Sequence, residues 1–142
     1  MSASLSPLSA SLNVAIGGGI GALLRYQLGR GMTYWFGHNV ITAFPWATLV
    51  TNVIGSMTMG LLAGWLARHG NASGSLMSSE QMRLLLGVGL LGGFTTFSAF
   101  SLELMLLIER GQSATALTYA GVSVLAGLVG LYLGLIVMRV AG

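Results

Sequence analysis

Gly89-Leu-Leu-Gly-Gly-Phe-Thr-Thr-Phe-Ser-Ala-Phe-Ser101 is the stretch on which the fold turns. It is uncharged, and all of it lies within the 19 residues between Arg83 and Glu103 that carry no charge. A helix needs about 20 apolar residues to cross the hydrocarbon core of a bilayer. At membrane depth every backbone N–H and C=O needs a partner, so a helix break there marks a protein-buried or water-lined place. The paired glycines Gly92 and Gly93 disfavour continued helix. Thr95 and Thr96 then offer N-cap chemistry for a restarted one. A break exposes carbonyls from the first half-helix, which suit a small hard cation. It also exposes N–H groups from the second, which suit an anion. The alternative is an unbroken helix with a Gly89-xxx-Gly93 packing face and hydroxyls bonded to the preceding turn.

Outward from this stretch the whole chain reads as membrane. Its 142 residues carry six Arg and three Glu, with no Lys and no Asp. That is 6% charged, against about 25% in soluble domains. The mean hydropathy is +0.83. Nine charges do not cover a soluble globule, which excludes a soluble enzyme and a nucleic-acid-binding module. The formal charge of +3 reflects missing acids, not a basic patch. No Cys is present, so there is no disulfide or thiolate chemistry. Charge-free runs cover residues 1–24, 31–67, 84–102 and 111–138. They predict one domain over residues 1–142 with four helices at about 11–36, 47–67, 82–108 and 114–138. The fold class is all-α and membrane-embedded. Tyr34, Trp35, Trp46 and Trp65 fall near span ends, as interfacial anchors do. The polar stretch 68–82 reads as a linker. The Ser-rich start lacks the basic region of a signal peptide, so the first span is expected to be retained.

Orientation is undetermined by charge. With four spans, Arg68, Arg83 and Arg139 lie on one side and Arg30 and Arg110 on the other, with Arg25 near the boundary. The positive-inside rule selects neither side. Dual topology, with copies inserted both ways and paired antiparallel, is one explanation; the other is that a single Arg dominates.

Several polar groups stand out inside the spans. Phe97 and Phe100 are three apart and share a helix face, beside a row of Thr95, Ser98 and Ser101. Two such rings read either as core or lipid contact or as ring edges turned to an anion. Ring edges beside hydroxyl donors can hold a small anion weakly enough to release it. Thr48, Asn52 and Ser56 form a polar stripe on the second span. The Asn52 amide fits an anion donor and interhelical glue equally. Tyr119 and Ser123 are four apart on the fourth span. Arg25 either snorkels to the interface or gives a vestibule positive potential. Glu103, near an anion path, has to be paired, protonated or off-axis. The glycine strings Gly87–Gly92 and Gly17–Ala22 match dinucleotide-binding patterns but lie in membrane-length apolar runs. They read as helix packing, as do Gly60-xxx-Gly64 and Gly130-xxx-Gly134. No nucleotide-binding loop, metal cluster or hydrolytic triad can be drawn.

The string Gly92-Gly-Phe-Thr-Thr-Phe-Ser-Ala-Phe-Ser-Leu-Glu103 closely resembles the signature of the Fluc (CrcB) fluoride channels, roughly GGxTTFSTFSxE. Gly-Ala-Leu-Leu-Arg25, Thr48-Leu-Val-Thr-Asn52-Val-Ile-Gly55 and Tyr119-Ala-Gly-Val-Ser123 match further pieces. The resemblance runs through all four spans. It implies a passive, fluoride-selective exporter of the bacterial inner membrane, built as an antiparallel, dual-topology homodimer with two pores. It implies a break in the third helix and a structural Na⁺ at the dyad, held by the backbone carbonyls of Gly92 and Thr95. It assigns Asn52, Phe97 and Phe100 to the pore, a polar track to Ser98, Ser101, Tyr119 and Ser123, and a vestibule to Arg25. Fluoride, lipid and a second copy are then the partners, with no nucleic acid or nucleotide. Two positions depart from the pattern. Ala99 stands where the family usually has Thr, and Gly127 where some members have Ser. The competing reading is a small dual-topology multidrug exporter, but that class relies on a carboxylate in the first span and this one has none.

Overall fold

The computed structural model describes residues 5–70 and 77–141. Residues 71–76 of the expected linker, and 1–4 and 142 at the ends, lie outside the described residues. Four stretches are long and apolar enough to cross a membrane: Pro7–Phe36, Trp46–His69, Ser79–Glu109 and Ser113–Val140. The protein is thus a multi-pass membrane protein. Large apolar side chains such as Leu8, Leu23, Leu117 and Leu125 stand exposed along the outside, which suits lipid and not water.

Helix α1 spans Pro7–Phe36 and begins four residues before the expected start. Ser6 caps it, its hydroxyl accepting from the Ser9 N–H at 3.2 Å, and Pro7 takes the first turn. Gly37 ends it at φ +84, a conformation that favours glycine. A short helix α2, His38–Ala43, follows; the sequence reading left this stretch as a connection. Helix α3 spans Trp46–His69 and starts directly after Pro45.

The third span is composite. Ser78 and Gln81 form a reciprocal capping box that starts α4, Ser79–Met82. Arg83–Leu91 is π-helical, Gly92–Phe94 is the short α5, and Phe97–Glu109 is α6. Between α5 and α6 the backbone is extended at Thr95 (φ −78, ψ 160) and Thr96 (φ −152, ψ 125). The expected break is therefore real, but it falls at the threonines; Gly92 keeps helical angles, φ −64 and ψ −37. A turn at Gly111, φ +74, leads into α7, Ser113–Val140.

Glycines set the packing. A Cβ on Gly17 would collide with Leu85 O and lie 2.8 Å from Leu90 N. One on Gly89 would meet Val14 O at 2.9 Å, and one on Gly93 would collide with Gly18 O. So α1 touches the first half of the third span backbone to backbone. The i→i+5 bonding of the π segment puts extra residues in each turn, which keeps Leu85, Gly89 and Gly93 turned to α1. The pair α3–α7 closes the same way: a Cβ at Gly60 would collide with Leu131 O, and one at Gly134 would lie 2.8 Å from Leu61 N. The three small-xxx-small readings hold. Gly89 and Gly93 serve as a packing face in a span that is also broken, so two readings that had looked exclusive are both true.

Candidate functional site

The site is built around the break. A helix interrupted at membrane depth loses ladder hydrogen bonds and has to find substitutes. Asn52, on α3, supplies two: its Nδ2 donates to Thr96 O at 3.1 Å, and its Oδ1 accepts from the Thr96 N–H at 2.9 Å. Thr96 then caps α6, its hydroxyl accepting from the Ala99 N–H at 3.2 Å. Thr95 closes the first half, with N–H and Oγ1 both donating to Leu91 O, at 2.9 and 2.8 Å. Arg25 reaches across from α1, half-buried, and its Nε donates to Gly93 O at 3.3 Å. The interhelical-glue reading of Asn52 holds, but its partner Thr96, 44 residues away, and the Arg25 contact to Gly93, 68 residues away, have no signal in the sequence.

Two spaces flank the break. A cavity of about 300 Å³ is lined by Asn52, Ser56, Thr95, Thr96 and Phe97, among others. A larger one, about 630 Å³, carries Arg25, Arg30, Thr48, Thr51, Thr96 and Ala99 on its walls. Arg30 also lies over the Tyr26 ring, 5.9 Å from its centroid. The break thus sits between an amide-and-phenyl-lined space and one with two arginines.

On α6 the two phenylalanines diverge. Their ring centroids are 5.7 Å apart, but Phe97 is 79% exposed, whereas Phe100 packs at 5.1 Å against the buried Tyr119. Ser98 faces outward with Phe97, 3.3 Å from the Thr96 hydroxyl. Ser101 bonds back to Phe97 O at 2.9 Å. Ser123 is buried on α7, and its hydroxyl has no partner among the described residues. Glu103 is paired: Thr48 Oγ1 donates to its Oε1 and Tyr119 Oη to its Oε2, both at 2.7 Å. Two hydroxyl donors hold this carboxylate in place, so the α3, α6 and α7 ends are tied together.

The structure brings Asn52, Thr95 and Phe97 around one cavity, and Phe100, Tyr119, Thr48 and Glu103 into another cluster. Arg25 borders a separate space. Ser98 and Ser101 lie on the α6 surface and not against the Tyr119 hydroxyl. Among the described residues, no group of three or more His, Cys, Asp or Glu could hold a metal ion.

The sequence model of a CrcB-like protein, Camphor Resistance (CrcB), matches residues 12–135. The chain belongs to the CrcB family. Its CrcB relatives cover it almost fully. A fluoride-specific ion channel FluC of Novosphingobium aromaticivorans is 55% identical over 132 residues, 93% of this chain and 98% of that protein. The FluC of Erythrobacter litoralis is 53% identical over 135 residues, covering 95% and 96%. That of Caulobacter vibrioides is 45% identical over 128 residues, covering 90% and 94%. The segment shared by CrcB proteins includes every residue of the break and both cavities' polar walls.

Proposed function

We propose that this chain is a fluoride-selective channel that exports fluoride passively across the bacterial inner membrane. The observation that carries this reading is the break itself. A clamped, polar interruption of a membrane helix stands beside a phenylalanine pair, in a chain that is 55% identical to a protein named as a fluoride-specific channel. Fluoride is small, strongly hydrated and a strong hydrogen-bond acceptor. Amide, hydroxyl and ring-edge donors can replace its water without trapping it as a buried cation would. Chloride is larger and fits a narrow donor-lined path poorly.

In this reading the 142 residues act as one four-helix domain, and two copies pair antiparallel with two pores between them. The near balance of arginines on the two sides supports insertion both ways. The exposure of Phe97 and Ser98 supports a second copy closing over α6. Asn52, Phe97 and Phe100 line the path, Ser98, Ser101, Tyr119 and Ser123 continue it, and Arg25 raises the potential at its vestibule. Both carboxylate oxygens of Glu103 are engaged by hydroxyl donors, Thr48 and Tyr119. A multidrug exporter would need a proton-coupling carboxylate in α1, whose only charged residues are Arg25 and Arg30.

A structural Na⁺ fits the residues of the break. Among the described residues, the carbonyls of Gly92 and Thr95 accept no hydrogen bond outside the helices' own ladders. They are neutral oxygens of the kind hard cations prefer, and two copies would provide four. When bound, the ion supplies positive potential close to the anion path. Dialysing the purified protein from Na⁺ into a bulky organic cation is expected to lower its thermal midpoint and its fluoride flux together. Unchanged values for both would reject the cation. For the function itself, expression in a bacterium lacking its own fluoride export is expected to restore growth on fluoride. Continued sensitivity with the protein inserted in the membrane would count against it.

A further inference from the structure

The polar stripe of α3 has three members, and only two are engaged. Thr48 bonds Glu103, and Asn52 clamps Thr96. The Ser56 hydroxyl, half-buried, makes no hydrogen bond among the described residues. Helical hydroxyls ordinarily bond back to the preceding turn. Thr51 and Thr58, on the same helix, do so, to Ala47 O at 2.7 Å and Ile54 O at 2.8 Å. Ser56 does not, and it lines the cavity of about 300 Å³ shared with Asn52, Thr95 and Phe97. On the facing helix α7 stands Gly127. A Cβ there would lie 3.5 Å from Ser56 Oγ, so no side chain from that position covers the hydroxyl.

From this geometry we infer that Ser56 is a fluoride-contacting residue, one helical turn along the path from Asn52. The inference rests on the channel reading above. Asn52 Nδ2 carries two hydrogens, and only one is used by Thr96 O; Ser56 adds a third-party donor on the same face. Residues four apart on a helix have Cβ atoms about 5–6 Å apart, so an anion leaving the amide meets the hydroxyl next. Gly127, with no side chain, leaves that hydroxyl uncovered.

The test compares Ser56→Ala with the double variant Ser56→Ala, Gly127→Ser in fluoride-loaded liposomes, alongside the unmodified protein. Both variants are checked for a single species on size exclusion. Ser56→Ala is expected to slow fluoride efflux about tenfold, the loss of one charge-assisted hydrogen bond. The double variant, with a hydroxyl restored across the same gap, is expected to recover most of that loss. A third variant, Ser56→Ala with Gly127→Ala, adds bulk there without a hydroxyl and is expected to stay slow; recovery in it would assign Ser56 to packing and overturn the inference. Efflux unchanged in Ser56→Ala, or a loss the double variant does not recover, overturns the inference while the channel reading stands. No fluoride release from the unmodified protein overturns the reading, and the inference with it.

Discussion

Replacing Asn52 with alanine is expected to abolish fluoride flux and to loosen the third span. The side chain meets both backbone groups of Thr96, at 3.1 and 2.9 Å. Its removal leaves an N–H and a C=O of the half-buried Thr96 without these partners. Each orphaned group costs about 1–3 kcal/mol, so the pair costs about 2–6 kcal/mol if nothing moves. The break would relax, and with it the position of Phe97 one residue on. A shift of about 3 kcal/mol in the transition barrier is already more than 100-fold in rate. Asn52→Asp separates the two roles. It keeps an oxygen for the Thr96 N–H but cannot donate to Thr96 O when ionised, and it puts a negative charge in an anion path. Flux is expected to be lost there even where the fold survives. Efflux rates and thermal midpoints of both variants check this. Normal flux in Asn52→Ala would remove Asn52 from the pore, and an unchanged thermal midpoint would mean that the clamp adds no stability.

Gly21→Ala is expected to have the largest effect on folding. Its Cβ would collide with Leu90 O and lie 2.7 Å from Phe94 N. Both are backbone atoms at a helix crossing, so no rotamer change relieves the clash. Overpacking of side chains costs about 1–3 kcal/mol, and a backbone clash stands at or above that range. Gly19→Ala, two residues away on the same helix, meets nothing within 4 Å. There alanine should be neutral or mildly stabilising, since glycine costs about 0.5–1 kcal/mol within a helix. The measurement is the yield of monodisperse protein in detergent and its thermal midpoint. Equal behaviour of the two variants would mean that α1 does not pack on the third span as described. The loss should also reach the site, because α1 positions Arg25 against Gly93 O.

The spans were legible because nine charges punctuate long apolar runs. Packing through Gly17, Gly60, Gly89, Gly130 and Gly134 was legible from spacing alone. Thr96 as N-cap was legible from residue type. The position of the break was read one step early. Gly92 and Gly93 look like a breaker pair, but both stay in the helical turn, and Gly93 uses its missing side chain to approach α1. The rupture moves to Thr95 and Thr96 because Asn52, 44 residues away in sequence, offers the replacement hydrogen bonds there. No local pattern signals such a partner. The π segment is hidden too: it packs against Gly17 and Gly21 of α1, a tertiary contact that no local pattern in residues 83–91 reports. Glu103 was left open between pairing, protonation and displacement. Its two donors, Thr48 and Tyr119, each sat in a resemblance or stripe already singled out, yet only the fold brings them to 2.7 Å. Ser98 and Ser101, placed in one polar row with Thr95 by spacing, share a surface on α6 while Thr95 belongs to the break.

The central claim is that this break and its surroundings form a path for fluoride and not for chloride. Purified protein in liposomes loaded with fluoride or chloride, with valinomycin to carry K⁺, tests it most directly by ion-selective electrode. The account predicts fast fluoride release and little chloride release. Retention of fluoride in vesicles that hold folded protein, or equal release of both halides, would contradict it.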